Sequence, residues 1–198
     1  MIKTIDNIDL IKDILNYDVI LVGTNIYGQL SNGFQRKVRK LYPHVHEANI
    51  KTKYGDPAKL GTIVPVEGTP MFILCYICKG YNFRPDLQKE FLEYDALEKC
   101  LKKLNKTLKD KRIASTYLGT SRFDGNGDLN KVISLFEKCC PDLDLTIYTY
   151  FQKSYHEEAK EEWDYLKEVK KTDIDQYYKL CKKRHEDRKN KTKTEGWI

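Results

Sequence analysis

The stretch LVGTNIYGQLSNGFQRKVRKLYP (21–43) decides how this chain is read. It starts as the end of an apolar, β-branched run, DVILVG (18–23), of the kind buried on both faces of a sheet. It then passes through small and polar residues, Asn25, Gly28, Ser31, Asn32 and Gly33, and turns at once into a basic, helix-like run. Strand, small-residue loop and helix is the order in which α/β folds present backbone N–H groups beyond the carboxyl end of a strand. Two readings stay open for the loop. It is an ordinary turn, or it lets an anion reach the N–H groups of a helix start, where the helix dipole favours negative charge and glycine allows close approach. The stretch matches neither a Walker motif nor a dinucleotide fingerprint.

Four more segments read as strands: GTIVPV (61–66), MFILCYIC (71–78), RIASTYLG (112–119) and LDLTIYTY (143–150). The turn signal EGTP between the first two predicts a hairpin. Helical spacing runs through Leu87, Phe91, Tyr94, Leu97, Leu101, Leu104 and Leu108, through Leu129, Val132, Ile133 and Phe136, and through Phe34, Val38 and Leu41. Strands alternating with helices predict a three-layer α/β/α domain with a mixed sheet over 1–150. After Tyr150 the composition turns highly charged. Tyr155, Trp163, Leu166 and Val169 form a helical stripe there, and Thr172 is placed to cap a second helix, so 151–198 read as a charged helical extension.

The composition narrows the function classes. With 198 residues, 40% hydrophobic and 32% charged, the chain can bury a full core and does not read as disordered. No apolar run approaches the roughly 18 residues that span a bilayer, and the acidic, periodic MIKTIDNIDLIKD (1–13) is not a signal peptide pattern. The net charge of +6 divides into +4 over 1–150 and +2 over 151–198, a spread that argues against a dedicated nucleic-acid stripe. Six cysteines in a chain of this size read as thiols of a reducing compartment, cytoplasmic or nuclear, rather than as a disulfide framework.

A second loop repeats the logic of the first. LGTSRFDGNGDLNKV (118–132) runs from a strand through Gly, Ser, Asn and Asp into a helix opening near Asp128. Two such loops at neighbouring strand ends are suited to clamp a diphosphate, or they are two unrelated capping loops. Lys79 ends a buried strand, where it snorkels to solvent or points into the cleft; desolvation there would lower its pKa and make it nucleophilic. Cys75 and Cys78 have CxxC spacing, but residues three apart on a strand point to opposite faces, so they read as core thiols and not as a metal pair. HVH (44–46) reads as exposed histidines of an extended loop, with no further metal ligand near them, and no cofactor is expected.

Taken together, LVGTNIYGQLSNGFQRKVRKLYP, LGTIVPVEGTPMFILCYICK and RIASTYLGTSRFDGNGDLNKVISLFEKC with LDLTIYTY resemble, in order and spacing, a macrodomain, the ADP-ribose-binding α/β module. The likeness covers about three quarters of the chain. It is greatest to the compact branch of the terminal ADP-ribose protein glycohydrolase and the ADP-ribose 1″-phosphate phosphatases. The resemblance implies that Thr24, Asn25, Asn32, Gly33 and Phe34 line the distal ribose and diphosphate. It implies that Gly119, Thr120, Ser121, Arg122 and Phe123 wrap the diphosphate from the other side, and that Asp9 meets the adenine amino group. Lys79 falls at the lysine nucleophile of the glycohydrolase branch, and Asp124 is the nearest match to its acid/base aspartate, with Asp128 a competitor that resembles a helix cap. The implied function is ADP-ribose binding and hydrolysis of ADP-ribosyl derivatives, with ADP-ribose or ADP-ribosylated protein as partner. The alternatives are a non-catalytic ADP-ribose reader, or an interaction protein acting through 151–198 with a vestigial pocket. The first loop has fewer glycines than the family pattern and the second is longer by one or two residues. The tail has no counterpart in the compact branch.

Overall fold

The structure, a computed structural model, describes residues 2–6, 8–30, 33–81, 89–121 and 124–149. The expected extension over 151–198, with its stripe and its cap at Thr172, lies outside the described residues.

In chain order the elements are β1 (Ile2–Asp6), α1 (Leu10–Asp13), β2 (Val19–Asn25), α2 (Gly33–Leu41), α3 (Pro43–Ile50), β3 (Ile63–Val66), β4 (Met71–Cys78), α4 (Tyr94–Thr107), β5 (Arg112–Ser115), α5 (Leu129–Cys139) and β6 (Asp144–Thr149). They build one six-stranded sheet in the order β1-β6-β5-β2-β4-β3. Every pairing is parallel except β3 with β4, the hairpin announced by EGTP, whose Thr69–Pro70 bond is cis.

Period-two alternation on the central strands sorts the core into two layers. Val19 and Leu21 of β2 and Ile73, Cys75 and Ile77 of β4 face α4 and α5, packing with Leu97, Leu101, Leu104, Val132 and Phe136. Ile20 and Val22, with Phe72, Leu74 and Tyr76, face the opposite way onto Leu10, Ile14, Leu30, Val38 and Val45 of α1, α2, α3 and their connections. Strands buried on both faces must be apolar at every position, which is why these runs carry no polar alternation. The three-layer mixed α/β/α fold expected for 1–150 is therefore present.

Several expectations need correction. The N-terminal segment, read only as acidic and periodic, supplies edge strand β1, paired in parallel with β6. HVH is not an extended loop: Pro43 at the first helical position starts α3, Val45 enters the core and the His44 ring packs on Phe72 at 6.1 Å. The long helix expected from Leu87 begins only at Tyr94, because Leu92 bridges to the end of β4 at Cys78 and Phe91 accepts the amide of Lys79 at 3.0 Å. Cys75 and Cys78 are both buried thiols, but they do not face opposite layers. The pairing slips between Thr24 and Asn25, and Cys78 joins the same apolar layer as Cys75. No group of His, Cys, Asp and Glu suited to a metal ion occurs among the described residues. Nor is any helix there long and apolar enough to cross a membrane.

Candidate functional site

Because β2, β4 and β5 are parallel neighbours, their carboxyl ends share one edge of the sheet. The connection leaving β2 runs toward the β3 edge and the one leaving its neighbour β5 runs toward the β1 edge, so the crevice typical of such folds opens between β2 and β5. The loop after β2, the segment after β4 and the loop after β5 all leave from this edge.

The loop after β2 is held by Asn25. Its Oδ1 accepts from the amides of Tyr27 at 3.0 Å and Gln29 at 3.3 Å, and its Nδ2 donates to the Gln29 carbonyl at 3.3 Å. Thr24 is also committed inward, its hydroxyl accepting from Asn49 at 3.1 Å in a buried network that Tyr76 extends by donating to Asn49 Oδ1 at 2.7 Å. Both side chains are thus engaged in hydrogen bonds that hold the loop and join β2 to α3. Gly33 opens α2, whose first turn carries no acidic residue to neutralise the helix dipole, and Phe34 packs against the core layer under that helix. Asn32 lies outside the described residues.

The loop after β5 folds onto itself through its backbone. The Gly119 carbonyl accepts from Gly127 at 2.9 Å, and the Ser121 carbonyl accepts from Asp124 at 3.0 Å and Asn126 at 2.9 Å. Gly119 has φ +76°, and a Cβ there would stand 2.6 Å from a Leu92 methyl, so only glycine fits. The Thr120 hydroxyl donates back to the Tyr117 carbonyl at 2.9 Å. Arg122 and Phe123 lie outside the described residues. Asp128 caps α5, accepting from the Lys131 amide at 2.9 Å, and so acts as the cap it resembles.

The two loops meet at a pair that the sequence did not advertise. Gln35, in the first turn of α2, donates from one amide nitrogen to the Gly23 carbonyl at 2.7 Å and to Asp124 Oδ2 at 2.6 Å. Asp124 is 3% exposed, and its other oxygen, Oδ1, has no hydrogen-bond partner among the described residues. Burial pushes its pKa up to about 7, although the Gln35 bond pulls the other way. The aspartate is therefore a carboxyl that holds or releases its proton near neutrality. Gln35 was legible in sequence only as a polar residue facing inward one position beyond Phe34.

Asp9 and Lys79 sit on either side of this junction. Asp9 caps α1 by accepting from the Ile11 amide at 3.2 Å, and it is ion-paired with Lys37 of α2. Lys79, with a side chain 53% exposed, pairs with Glu93 at 2.5 Å. Glu93 sits at the cap position of α4 but makes no capping bond, and its carboxylate goes to the lysine instead. The hydrogen bond and charge of Glu93 raise the Lys79 pKa, and the half-exposed side chain follows the solvent-reaching one of its two sequence readings, not the desolvated one. Cys78 connects the two centres: burial first, then the charges of Asp124 and Glu93, drive its thiol pKa well up.

No protein-family model matches the chain, and no curated protein matches it either. Solved structures do. The macrodomain of Mycobacterium tuberculosis DarG superposes with TM-score 0.56 at 18% identity, over 75% of this chain and 97% of that one. The macrodomain of Thermus aquaticus DarG superposes with TM-score 0.57 at 16% identity, over 76% of this chain and 97% of that one. Thermosipho africanus DarTG in complex with ADP-ribose superposes with TM-score 0.56 at 15% identity, over 69% of this chain and 39% of that one. Identities this low speak for architecture, and the architecture on which they converge is that of the macrodomain.

Proposed function

We propose that this chain binds ADP-ribose along the carboxyl edge of its sheet and hydrolyses an ADP-ribosyl bond there. The observation that carries the reading is Asp124: a carboxyl buried where the two loops meet, one oxygen held by Gln35 and the other without a partner among the described residues. A buried acceptor left open is costly, and a ligand hydroxyl supplies what it lacks. A carboxyl titrating near pH 7 is also matched to proton transfer at neutral pH. The fold of the ADP-ribose-bound DarTG supports the same ligand.

In this reading the first-turn amides of α2 at Gly33 and Phe34, with the 119–121 backbone opposite, hold the diphosphate. Lys79 attacks the anomeric carbon of the distal ribose as the bond to the acceptor breaks and Asp124 delivers a proton to the departing group; water, giving a proton back to Asp124, then attacks the same carbon, breaks its bond to Lys79 and releases ADP-ribose. The amine must first lose its proton and leave Glu93. Deletion of residues 151–198 should leave ADP-ribose affinity unchanged.

The Lys79–Glu93 pair favours a second reading, a reader that binds ADP-ribose without turnover, because a charged, paired lysine is no nucleophile. Calorimetry with ADP-ribose, followed by incubation with ADP-ribosylated protein and with ADP-ribose 1″-phosphate, separates the two. Binding with product is the hydrolase, binding without product is the reader, and no binding removes both. If Lys79→Ala turns over as fast as wild type, the covalent lysine route alone is lost.

A further inference from the structure

The three groups joined at the meeting of the loops allow only one arrangement of protons. Gln35 Nε2 lies 2.7 Å from the Gly23 carbonyl oxygen and 2.6 Å from Asp124 Oδ2. A side-chain amide can in general be turned to put its oxygen where its nitrogen stands. The Gly23 carbonyl forbids that here, because an amide oxygen at 2.7 Å would set acceptor against acceptor. The pairing of β2 with β5 ends at Ile20 and Ala114, and further along β2 the Gly23 carbonyl takes its donor from this side chain. Both N–H bonds of Nε2 are thereby given, one to each oxygen, and Oδ2 must accept.

In a protonated carboxyl the carbonyl oxygen is the better acceptor and the hydroxyl oxygen is the donor. Oδ2 takes the carbonyl part, so the proton falls to Oδ1, the oxygen with no hydrogen-bond partner among the described residues. The neighbouring groups make no rival claim on it. Gln35 is uncharged, and burial and the Gln35 bond between them account for the Asp124 shift. The Cys78 thiol of β4 is the titratable group that feels the Asp124 charge, and its own pKa is driven so far up that it stays neutral.

Resting on the hydrolase reading, we propose that Gln35 is the positioning residue of the Asp124 acid: it fixes the transferable proton on Oδ1 and makes that one oxygen serve both proton transfers of turnover. In the first transfer Oδ1 gives its proton to the departing group as the bond to the acceptor breaks. In the second Oδ1 takes a proton from the attacking water. Oδ2 stays on the Gln35 N–H throughout, because a side-chain amide neither gives up nor takes a proton near neutral pH. The carboxyl keeps one orientation through the whole cycle.

Neutron diffraction from wild-type crystals at about pH 5, below the Asp124 pKa of about 7, reads the position directly. A deuteron on Oδ1 is the expected result, and a deuteron on Oδ2 overturns the proposal whatever the variants do. Turnover reads the consequence. Gln35→Met keeps the length of the side chain and removes its N–H bonds. It should lower kcat by about 10–100-fold, part of the roughly 10²–10⁴-fold that such an acid supplies, with ADP-ribose affinity held within a few fold. In the Asp124→Asn background the same substitution should cost nothing further in kcat, since a residue that acts through Asp124 has nothing left to act on. An equal loss in both backgrounds shows that Gln35 serves the fold alone and overturns the positioning role, as does a wild-type kcat in Gln35→Met. Far-UV circular dichroism checks that the variants are folded, and where Gln35→Met is not, the deuteron decides. A deuteron on Oδ1 with no turnover of either substrate by wild type removes the hydrolase reading and the positioning role with it, while the place of the proton stands.

Discussion

Asp124 and Lys79 leave the same edge of one sheet, yet the chain treats their charges in opposite ways. The aspartate is enclosed, bonded to a neutral amide and pushed toward its uncharged form. The lysine is half exposed, bonded to a carboxylate and pushed toward its charged form. The difference comes from what each strand end meets. The loop after β5 closes on itself and on α2, which excludes water. The segment after β4 is met by the 91–93 segment, which brings an acid to the half-exposed lysine. The enclosed end is thus held close to its uncharged form, whereas the open end stays charged.

Replacing the enclosed acid gives the largest expected effect. Asp124→Asn should lower turnover of ADP-ribosylated substrate by about 10²–10⁴-fold while ADP-ribose affinity stays within a few fold. The same variant tests the ionisation. The folded-state pKa is raised, from 3.8 to about 7, so the native state holds the proton more tightly than the unfolded chain. The associated stability is fully present below pH 3.8 and is lost as pH rises to about 7. Urea titrations should therefore find Asp124→Asn more stable than wild type by roughly 4 kcal/mol at pH 8, with the gap closing near pH 4.

Breaking the bond between the loops comes next. Gln35→Leu leaves the Gly23 carbonyl and Asp124 Oδ2 buried without their donor, at a cost of about 2–4 kcal/mol in denaturant unfolding. It also removes the bond that restrains the Asp124 pKa, which should move further up. Gly119→Ala should destabilise by about 1–3 kcal/mol, because the new methyl meets Leu92 and the φ is unfavourable, and it should weaken ADP-ribose binding by loosening the loop. The smallest effect belongs to the open end. Glu93→Gln should leave the melting temperature unchanged and lower the Lys79 pKa. The pH dependence of turnover then shifts to lower pH, and the rate at pH 7–8 rises a few fold. An unshifted profile means that the Lys79 amine does not limit turnover.

The reach of the sequence follows the range of each interaction. β2 and β4 were legible because strands buried on both faces must be apolar throughout, and the β3–β4 hairpin because its turn chemistry is local. β1 was hidden: a five-residue strand at a sheet edge, with three of its positions exposed, needs no apolar run. The start of α4 was overrun because Phe91 keeps helical spacing while its backbone and that of Leu92 serve the end of β4. The two phosphate-type loops could be named from their small residues. That Thr24 and Asn25 spend their side chains on the scaffold could not, since their partners Asn49 and Gln29 are fixed only by the fold.

The sequence by itself determined the layers, the parallel strands and the position of two loops at one edge, because apolar alternation and glycine placement act over a few residues. Only the tertiary structure decided the state of the site. The Gln35–Asp124 bond joins residues 89 apart and the Lys79–Glu93 pair joins α4 to β4. A group's charge depends on the water it loses and on the neighbours it gains, and both are set by packing at a distance.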